Sequence, residues 1–380
     1  MGEAVAQSLE FELLKLLGGD EKARIAARYC GFDGRGGTTL QNAGAEFGIT
    51  AERVRQIVGE VVKRRGSELV AAPALAKAIA FVAARTPGFA HEIEEKLQAA
   101  GLTAGPFRVE GILRAAELFG KSAPFLVTET QRDRLVHSLP PESLDAVVRV
   151  ARRAIERWGV ASLDAVSSEV RDAAPEAADK RLIANVLTGA GDLCWLDATP
   201  EWFWLPSVSR NPLVRRIRRV LSVANPVRAS ELCAAVTRDY RLQSHSPPPA
   251  VLRELCRQLP GLRVADEYIE ADPGIPPREV LGETEAAIVD VLAERGGVMR
   301  RAELASVCLK RGLNRSSFYS ALAHAAVISS HPAGVVGLIG IAFDPGMPPG
   351  PAAKQRSKYL HSKARAHTIR LRKLMENGGN

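Results

Sequence analysis

The stretch from Thr38 to Arg65, TTLQNAGAEFGITAERVRQIVGEVVKRR, limits most strongly what the amino-terminal part of the chain can fold into. Leu40, Ala43, Gly44 and Phe47 recur at the spacing of one helical face. Gly48 stands where that helix has to end in a left-handed residue, which glycine adopts without steric cost. Thr50 has the chemistry of an N-cap for a second helix. That second helix turns Val54, Ile57, Val58 and Val61 inward and Ala51, Glu52, Arg55 and Gln56 outward. A short helix, a glycine turn and a helix with a polar, basic amino end form the helix-turn-helix pattern. Such a pattern serves DNA contact or protein packing, and the exposed Arg53, Arg55 and Gln56 favour DNA.

Several residues in and around this stretch carry a more specific likeness. Arg28-Tyr29, Asp33-Gly34, Thr39-Leu40, Glu46-Phe47-Gly48 and the run Thr50 to Ile57 together resemble region 4 of the sigma-70 family of RNA polymerase sigma factors. The likeness covers residues 21–65. It implies that the second helix enters the major groove of an upstream promoter element. It further implies that Glu52, Arg55 and Gln56 face base edges, and that Thr39, Thr50, Arg53, Lys63 and Arg64 face phosphates. Two positions depart from the family pattern: Ala51 replaces a base-reading arginine, and Gly59 sits inside the helix at a cost of roughly 1 kcal/mol against alanine. With so short a segment ahead of the helix-turn-helix, the promoter-melting region of that family is expected to be missing. The chain is then expected to act as something other than a complete sigma factor.

Charge is unevenly placed. The net charge is +8 over 380 residues. Between Ala353 and Asn380 eight Lys/Arg face one Glu, and between Glu21 and Gly66 nine face five, which leaves the remainder slightly acidic. Localised positive charge is what a polyanion-binding protein needs. The five cysteines, Cys30, Cys194, Cys233, Cys256 and Cys308, are scattered singly, which argues for a reducing cytoplasm and against a zinc site. The amino terminus lacks the basic segment and cleavage site of a signal peptide, and Ala6 breaks an acylation motif. No apolar run approaches the ~20 residues of a membrane span. The expected location is the cytoplasm, in association with the nucleoid.

Beyond Arg65 a long period appears. Helix starts fall near Leu75, Val147, Leu213 and Thr284, and second helices are anchored by Ile93, Val166, Leu232 and Leu304. Third helices follow at Lys180 to Thr188, Pro249 to Gln258 and Arg315 to Ala323, and each unit closes on short β-prone runs. Three helices and a terminal β-hairpin in about 70 residues resemble the winged-helix module, by order and length. The fold class expected is mainly α, an amino-terminal helix-turn-helix domain followed by tandem winged-helix domains. The organisation reads as a helical arm (1–20), the helix-turn-helix (21–68), four units (74–138, 143–208, 210–276 and 281–343) and a basic tail (353–380), with Gly/Pro-rich joints between them.

Winged helices bind DNA or dock proteins. The last unit offers Lys310, Arg311, Asn314, Arg315, Ser316, Ser317 and Tyr319 around its third helix as a DNA-facing set, with Arg311, Asn314 and Arg315 as the candidate contacts. The tail adds Lys354, Arg356, Lys358, Lys363 and Arg365, suited to phosphates without sequence preference. Trp195, Trp202, Phe203 and Trp204 read as hairpin core. His91-Glu92 and Glu94-Glu95 read as a solvated helix face. No phosphate-cradling loop, nucleophile elbow or His-Glu-x-x-His motif occurs, so no catalytic residue, metal or cofactor is expected. The expected function is a sequence-specific double-stranded DNA-binding protein, a transcriptional regulator without promoter-melting ability. The competing expectation is a scaffold that is associated with a DNA- or RNA-polymerase assembly, its winged helices binding protein, as in DNA processing or phage defence.

Overall fold

The structure, a computed structural model, describes residues 8–65, 71–199, 201–238, 245–331 and 334–341, with side chains in the first stretch described up to Lys63. The tail cations Lys354, Arg356, Lys358, Lys363 and Arg365 lie outside the described residues. The chain divides into two compact units after Pro212. Its described elements are mainly helical, with small three-stranded sheets.

The first unit opens with α1 (Leu9–Leu16), α2 (Glu21–Cys30), α3 (Leu40–Phe47) and α4 (Ala51–Arg65). Ser8 caps α1 by accepting from the Phe11 N–H, and Asp20 caps α2 by accepting from Ala23 at 2.8 Å. Leu9 and Leu13 of α1, Val54, Ile57 and Val61 of α4, and Leu75, Phe107 and Phe119 further along all belong to one buried apolar cluster. Each such side chain contributes about 1.5–3 kcal/mol when removed from water. The helix-turn-helix and the elements that follow it therefore share one core.

Long-range carboxylates complete this packing. Helix α5 (Pro73–Ala83) starts after Ala72, which has no side-chain acceptor to offer. Glu12 of α1 supplies it, accepting from the Ala74 and Leu75 N–H groups at 2.9 Å each. Helices α6 (Ala90–Ala99) and α7 (Val109–Leu118) repeat the device: Glu94 of α6 accepts from the Val109 N–H at 3.0 Å. Negative charge at a helix amino end also meets the positive end of the macrodipole. The glycine-rich loop 31–37 packs beside α7, where a Cβ at Gly111 would stand 2.6 Å from the Gly31 carbonyl oxygen.

From α5 onward one order of elements occurs four times: helix, short strand, helix, helix, strand, strand. The first set is α5, β1 (Gly88–Phe89), α6, α7, β2 (Leu126–Glu129) and β3 (Arg134–His137). The second is α8 (Pro141–Trp158), β4 (Ala161–Ser162), α9 (Leu163–Ala173), α10 (Lys180–Gly189), β5 (Cys194–Trp195) and β6 (Trp202–Trp204). The third is α11 (Pro212–Val223), β7 (Val227–Arg228), α12 (Ala229–Val236), α13 (Pro249–Gln258), β8 (Leu262–Ala265) and β9 (Tyr268–Ala271). After the short α14 (Pro277–Val280) come α15 (Glu283–Glu294), β10 (Val298–Arg300), α16 (Arg301–Lys310), α17 (Arg315–His324), β11 (Ile328–His331) and β12 (Val335–Leu338). In every sheet the last strand lies in the middle, antiparallel to both neighbours.

The first strand of each set is absent from the sequence reading. Two or three residues are too few to show the alternation that marks a strand. Its register is nonetheless regular, pairing Gly88 with Val136, Ala161 with Phe203, Val227 with Ile269 and Met299 with Val336. A second difference is the start of α8, six residues before Val147. Pro141 occupies its first turn, where the missing N–H costs nothing. Ile93, Val166, Leu232 and Leu304 are all buried, as their spacing requires.

In the second unit, two arginines tie the last two sets together. Arg219 donates from Nε to the Val280 carbonyl at 3.1 Å and stands 3.4 Å from the Glu285 carboxylate. Arg238 donates to the carbonyls of Leu322, at 3.0 Å, and Ile328. Desolvation pushes the Arg238 pKa below its ordinary value.

Candidate nucleic-acid interface

The turn between α3 and α4 fixes how the second helix is presented. Thr39 caps α3, its Oγ1 accepting from Asn42 at 3.1 Å, and Gly48 ends the helix at φ +68°. The Ile49 N–H then returns to the Gly44 carbonyl at 2.8 Å. Thr50 caps α4, with Oγ1 accepting from the Arg53 N–H at 3.2 Å. Each threonine hydroxyl keeps its own O–H free to donate outward. Val54, Ile57 and Val61 bury one face of α4.

The opposite face is polar and exposed. Glu52, Arg53, Arg55, Gln56 and Lys63 all lie on it. The structure brings the first four together as a hydrogen-bonded set. Arg55 donates twice to Glu52, from Nε at 2.8 Å and from Nη2 at 2.6 Å. Gln56 donates to the same carboxylate at 3.4 Å, and Arg53 donates to the Gln56 carbonyl oxygen at 3.2 Å. The Arg55 fork lowers the Glu52 pKa and the Glu52 carboxylate raises that of Arg55, so both stay charged at neutral pH. Glu60, which the sequence reading leaves out, extends the set: Lys22 reaches it at 2.6 Å and Arg53 at 3.8 Å. The (i, i+4) spacing of Gln56 and Glu60 is the sequence signal that places Glu60 on the same face. Helix α4 runs on to Arg65, while the Arg64 side chain lies outside the described residues.

Chemically, this face offers a planar fork suited to guanine, an amide suited to adenine and a carboxylate that accepts from cytosine. Lys63, a turn or more beyond, offers only a cation. Around the third helix of the last set the predicted residues are differently placed. Arg311 is held by Glu294 at 2.6 Å. Asn314 caps α17, accepting from Ser316 at 2.9 Å and Ser317 at 3.1 Å. Arg315 and Arg301 lie 5.9 and 5.7 Å from the Tyr319 ring centroid, and of these three only Arg301 is not among the residues read from sequence as DNA-facing.

Glu94, expected on a solvated face, is a half-buried hub between helices. Besides capping α7 it accepts from Arg134 at 2.9 and 3.0 Å, and Arg134 also reaches Glu110 at 2.7 Å. His91 pairs with Asp133 rather than with water alone. The sequence separation of 40 residues between Glu94 and Arg134 hides the pair from any helical-face argument. The hairpin aromatics do pack: Phe203 is fully buried and meets Trp195 edge-on at 5.9 Å.

The five cysteines are free, and burial pushes Cys30 up to about 11 and Cys256 up to about 12, so both are neutral thiols. Among the described residues no group of three His, Cys, Asp or Glu is placed to hold a metal ion, and no helix is long and apolar enough to cross a membrane.

No protein-family model matches the chain, and no curated protein matches it.

Proposed function

We propose that this chain is a sequence-specific double-stranded DNA-binding protein, a non-enzymatic transcriptional regulator related to sigma region 4. The observation that carries the reading is the exposed amino half of α4. Glu52, Arg53, Arg55 and Gln56 crowd its outer face while Val54, Ile57 and Val61 anchor the inner one. In this reading α4 enters the major groove, Arg55 and Gln56 address base edges, and Thr39, Thr50, Arg53, Lys63 and Arg64 address phosphates. The four repeated element sets are then winged-helix units, and α17 with Arg315 is a second DNA-facing helix.

A protein-docking role for the middle units is supported by their hairpin tips. Asp197 and Glu201 flank one tip, and Asp266 and Glu267 form the other. Carboxylates there repel phosphates, so these hairpins suit a protein partner, as a scaffold in a polymerase-associated assembly requires. Selection from a random duplex pool separates the readings. A sharp motif that broadens in Arg55→Ala supports the regulator. Enrichment of nothing leaves the scaffold.

A further inference from the structure

The first helices of the second and third sets carry the same arginine spacing. Arg149 and Arg215, Arg152 and Arg218, and Arg153 and Arg219 each stand 66 positions apart. The buried positions between them match too: Val147, Ala151 and Ile155 in α8 correspond to Leu213, Ile217 and Leu221 in α11. The two helices therefore present equivalent faces. The fold does not require cations there. The corresponding helix α5 has only Lys77, and α15 has no Lys or Arg at all.

The helix dipole does not account for the arginines either. Arg215 and Arg216 follow closely on the amino end of α11, where the macrodipole disfavours positive charge, and no acidic residue stands in that first turn. Nor do local ion pairs absorb them. Arg149, Arg152, Arg153, Arg215 and Arg218 are exposed. Among the described residues, none of them has an ion-pair partner, and Arg152 reaches only the Ser207 hydroxyl, at 3.3 Å. Elsewhere exposed cations are commonly paired, as Lys22 is with Glu60, Arg257 with Glu254 and Arg311 with Glu294. Only Arg219 departs from the pattern, being held by Val280 and Glu285.

We infer that the exposed faces of α8 and α11 are two phosphate-contact surfaces that hold duplex DNA without regard to its sequence. The inference goes beyond base reading by α4 and shares with it only the class of partner. Arginine suits the task because its planar fork meets a phosphate bidentately and stays charged at every relevant pH. Arg149 and Arg153 are separated by about 6 Å along the helix axis. A DNA strand carries one phosphate per about 3.4 Å of its axis, so the two reach separate phosphates of one strand.

The test uses the full chain and one labelled duplex of arbitrary sequence, titrated over a range of salt concentrations. One variant combines Arg149→Gln, Arg152→Gln and Arg153→Gln, and a second combines Arg215→Gln and Arg218→Gln. Each lost phosphate contact lowers the log–log salt slope by about 0.9, so the expected drops are about 2–3 and about 1–2. The site selected from a random pool stays the same. The matching Arg→Lys variants keep the slope, because the charge remains. Unchanged slopes in both Gln variants, or equal losses in the Lys variants, overturn the inference. If a Gln variant melts early, the single variants Arg149→Gln and Arg215→Gln carry the comparison: a slope lowered by about 0.9 supports the contact, and an unchanged slope refutes it. Failure of the α4 reading is separate, since it shows as an unaltered sequence preference in Arg55→Ala.

Discussion

A Cβ added at Gly44 would stand 2.5 Å from the carbonyl oxygen of Ile49. That oxygen belongs to backbone fixed by the Ile49 N–H to Gly44 carbonyl bond, so neither partner yields cheaply. Gly44→Ala is therefore expected to open the turn between α3 and α4 and lower the melting temperature of the first unit. Gly59 offers the opposite case. It too lies within a helix, but a Cβ there meets nothing within 4 Å. Gly59→Ala is expected to raise stability by about 0.5–1 kcal/mol through helix propensity alone. Thermal melts of the two variants check both signs, and a stabilised Gly44→Ala would show that the turn geometry is wrong.

Two histidines near β3 should titrate with opposite effects. The Asp133 carboxylate beside His91 raises the His91 pKa, and His91 in turn helps lower that of Asp133. This pair stabilises the fold between the unfolded pKa values, about 4 and 6.5, and its contribution fades as pH rises through the folded His91 pKa. His91 is 57% exposed, so solvent screening holds the contribution below about 1 kcal/mol. His137 is buried, and desolvation lowers its pKa. It accepts at Nδ1 from the Leu139 N–H, at 3.3 Å, which leaves Nε2 to donate to Thr128 in the neutral form. Its contribution is full above about pH 6.5 and is lost as pH falls through the folded value. Asp133→Asn should remove the loss of stability on the alkaline side. His137→Gln should flatten the acid side. Denaturant midpoints between pH 4 and 8 check both, and a variant curve parallel to the native one rejects its assignment.

Arg238 is a half-buried cation whose described acceptors are uncharged: carbonyls of Leu322 and Ile328 and, at 3.3 Å, the Ser330 hydroxyl. Removing the guanidinium leaves those carbonyls unsatisfied, at about 1–3 kcal/mol. Arg238→Met keeps the apolar stem and should still destabilise the second unit by that amount. Arg238→Lys should recover only part, because one ammonium lacks the span of a fork. Equilibrium unfolding of the two variants measures this, and a neutral Arg238→Met would mean that water replaces the lost donors.

How much of this was legible in the sequence follows from the range of each interaction. Gly48, Thr50 and the Val54, Ile57, Val61 face depend on neighbours within a turn or two, and spacing alone places them. The helices anchored by Ile93, Val166, Leu232 and Leu304 were legible for the same reason. Strands of two residues left no pattern to read. Glu94 and Arg134, and Glu12 with the start of α5, join positions far apart in sequence, so a helical-face argument assigned Glu94 to water. On α4 the spacing identified the outward residues, while the mutual clasp of Glu52 and Arg55 emerged only from side-chain geometry.

The tail lies outside the described residues, yet its charge supports a prediction. If three to five of its cations, among them Lys354, Arg356, Lys358, Lys363 and Arg365, neutralise phosphates, removing residues 353–380 lowers the log–log salt slope by about 3 to 4.5. The loss should be equal for all duplexes. An unchanged slope would assign the tail to a protein partner or to solvent.

Arg55 and Gln56 carry the most specific expectation. In the free protein both donate to the Glu52 carboxylate, so reading a base requires that these bonds be exchanged for bonds to base edges. Because the bonds are on an exposed face, the exchange replaces one solvated contact with another, and the fold beneath does not depend on them. Arg55→Ala and Gln56→Ala should keep the native melting temperature. Each should lose preference at one or two positions of the selected site, by roughly five- to a hundredfold, the discrimination expected of one bidentate contact. Lys63→Ala should weaken all duplexes alike. Val54→Ala should instead melt the first unit early, since Val54 is fully buried. Random-pool selection run beside thermal melts separates these outcomes. If Arg55→Ala leaves both affinity and sequence preference intact, α4 does not read DNA, and its polar face serves a protein partner.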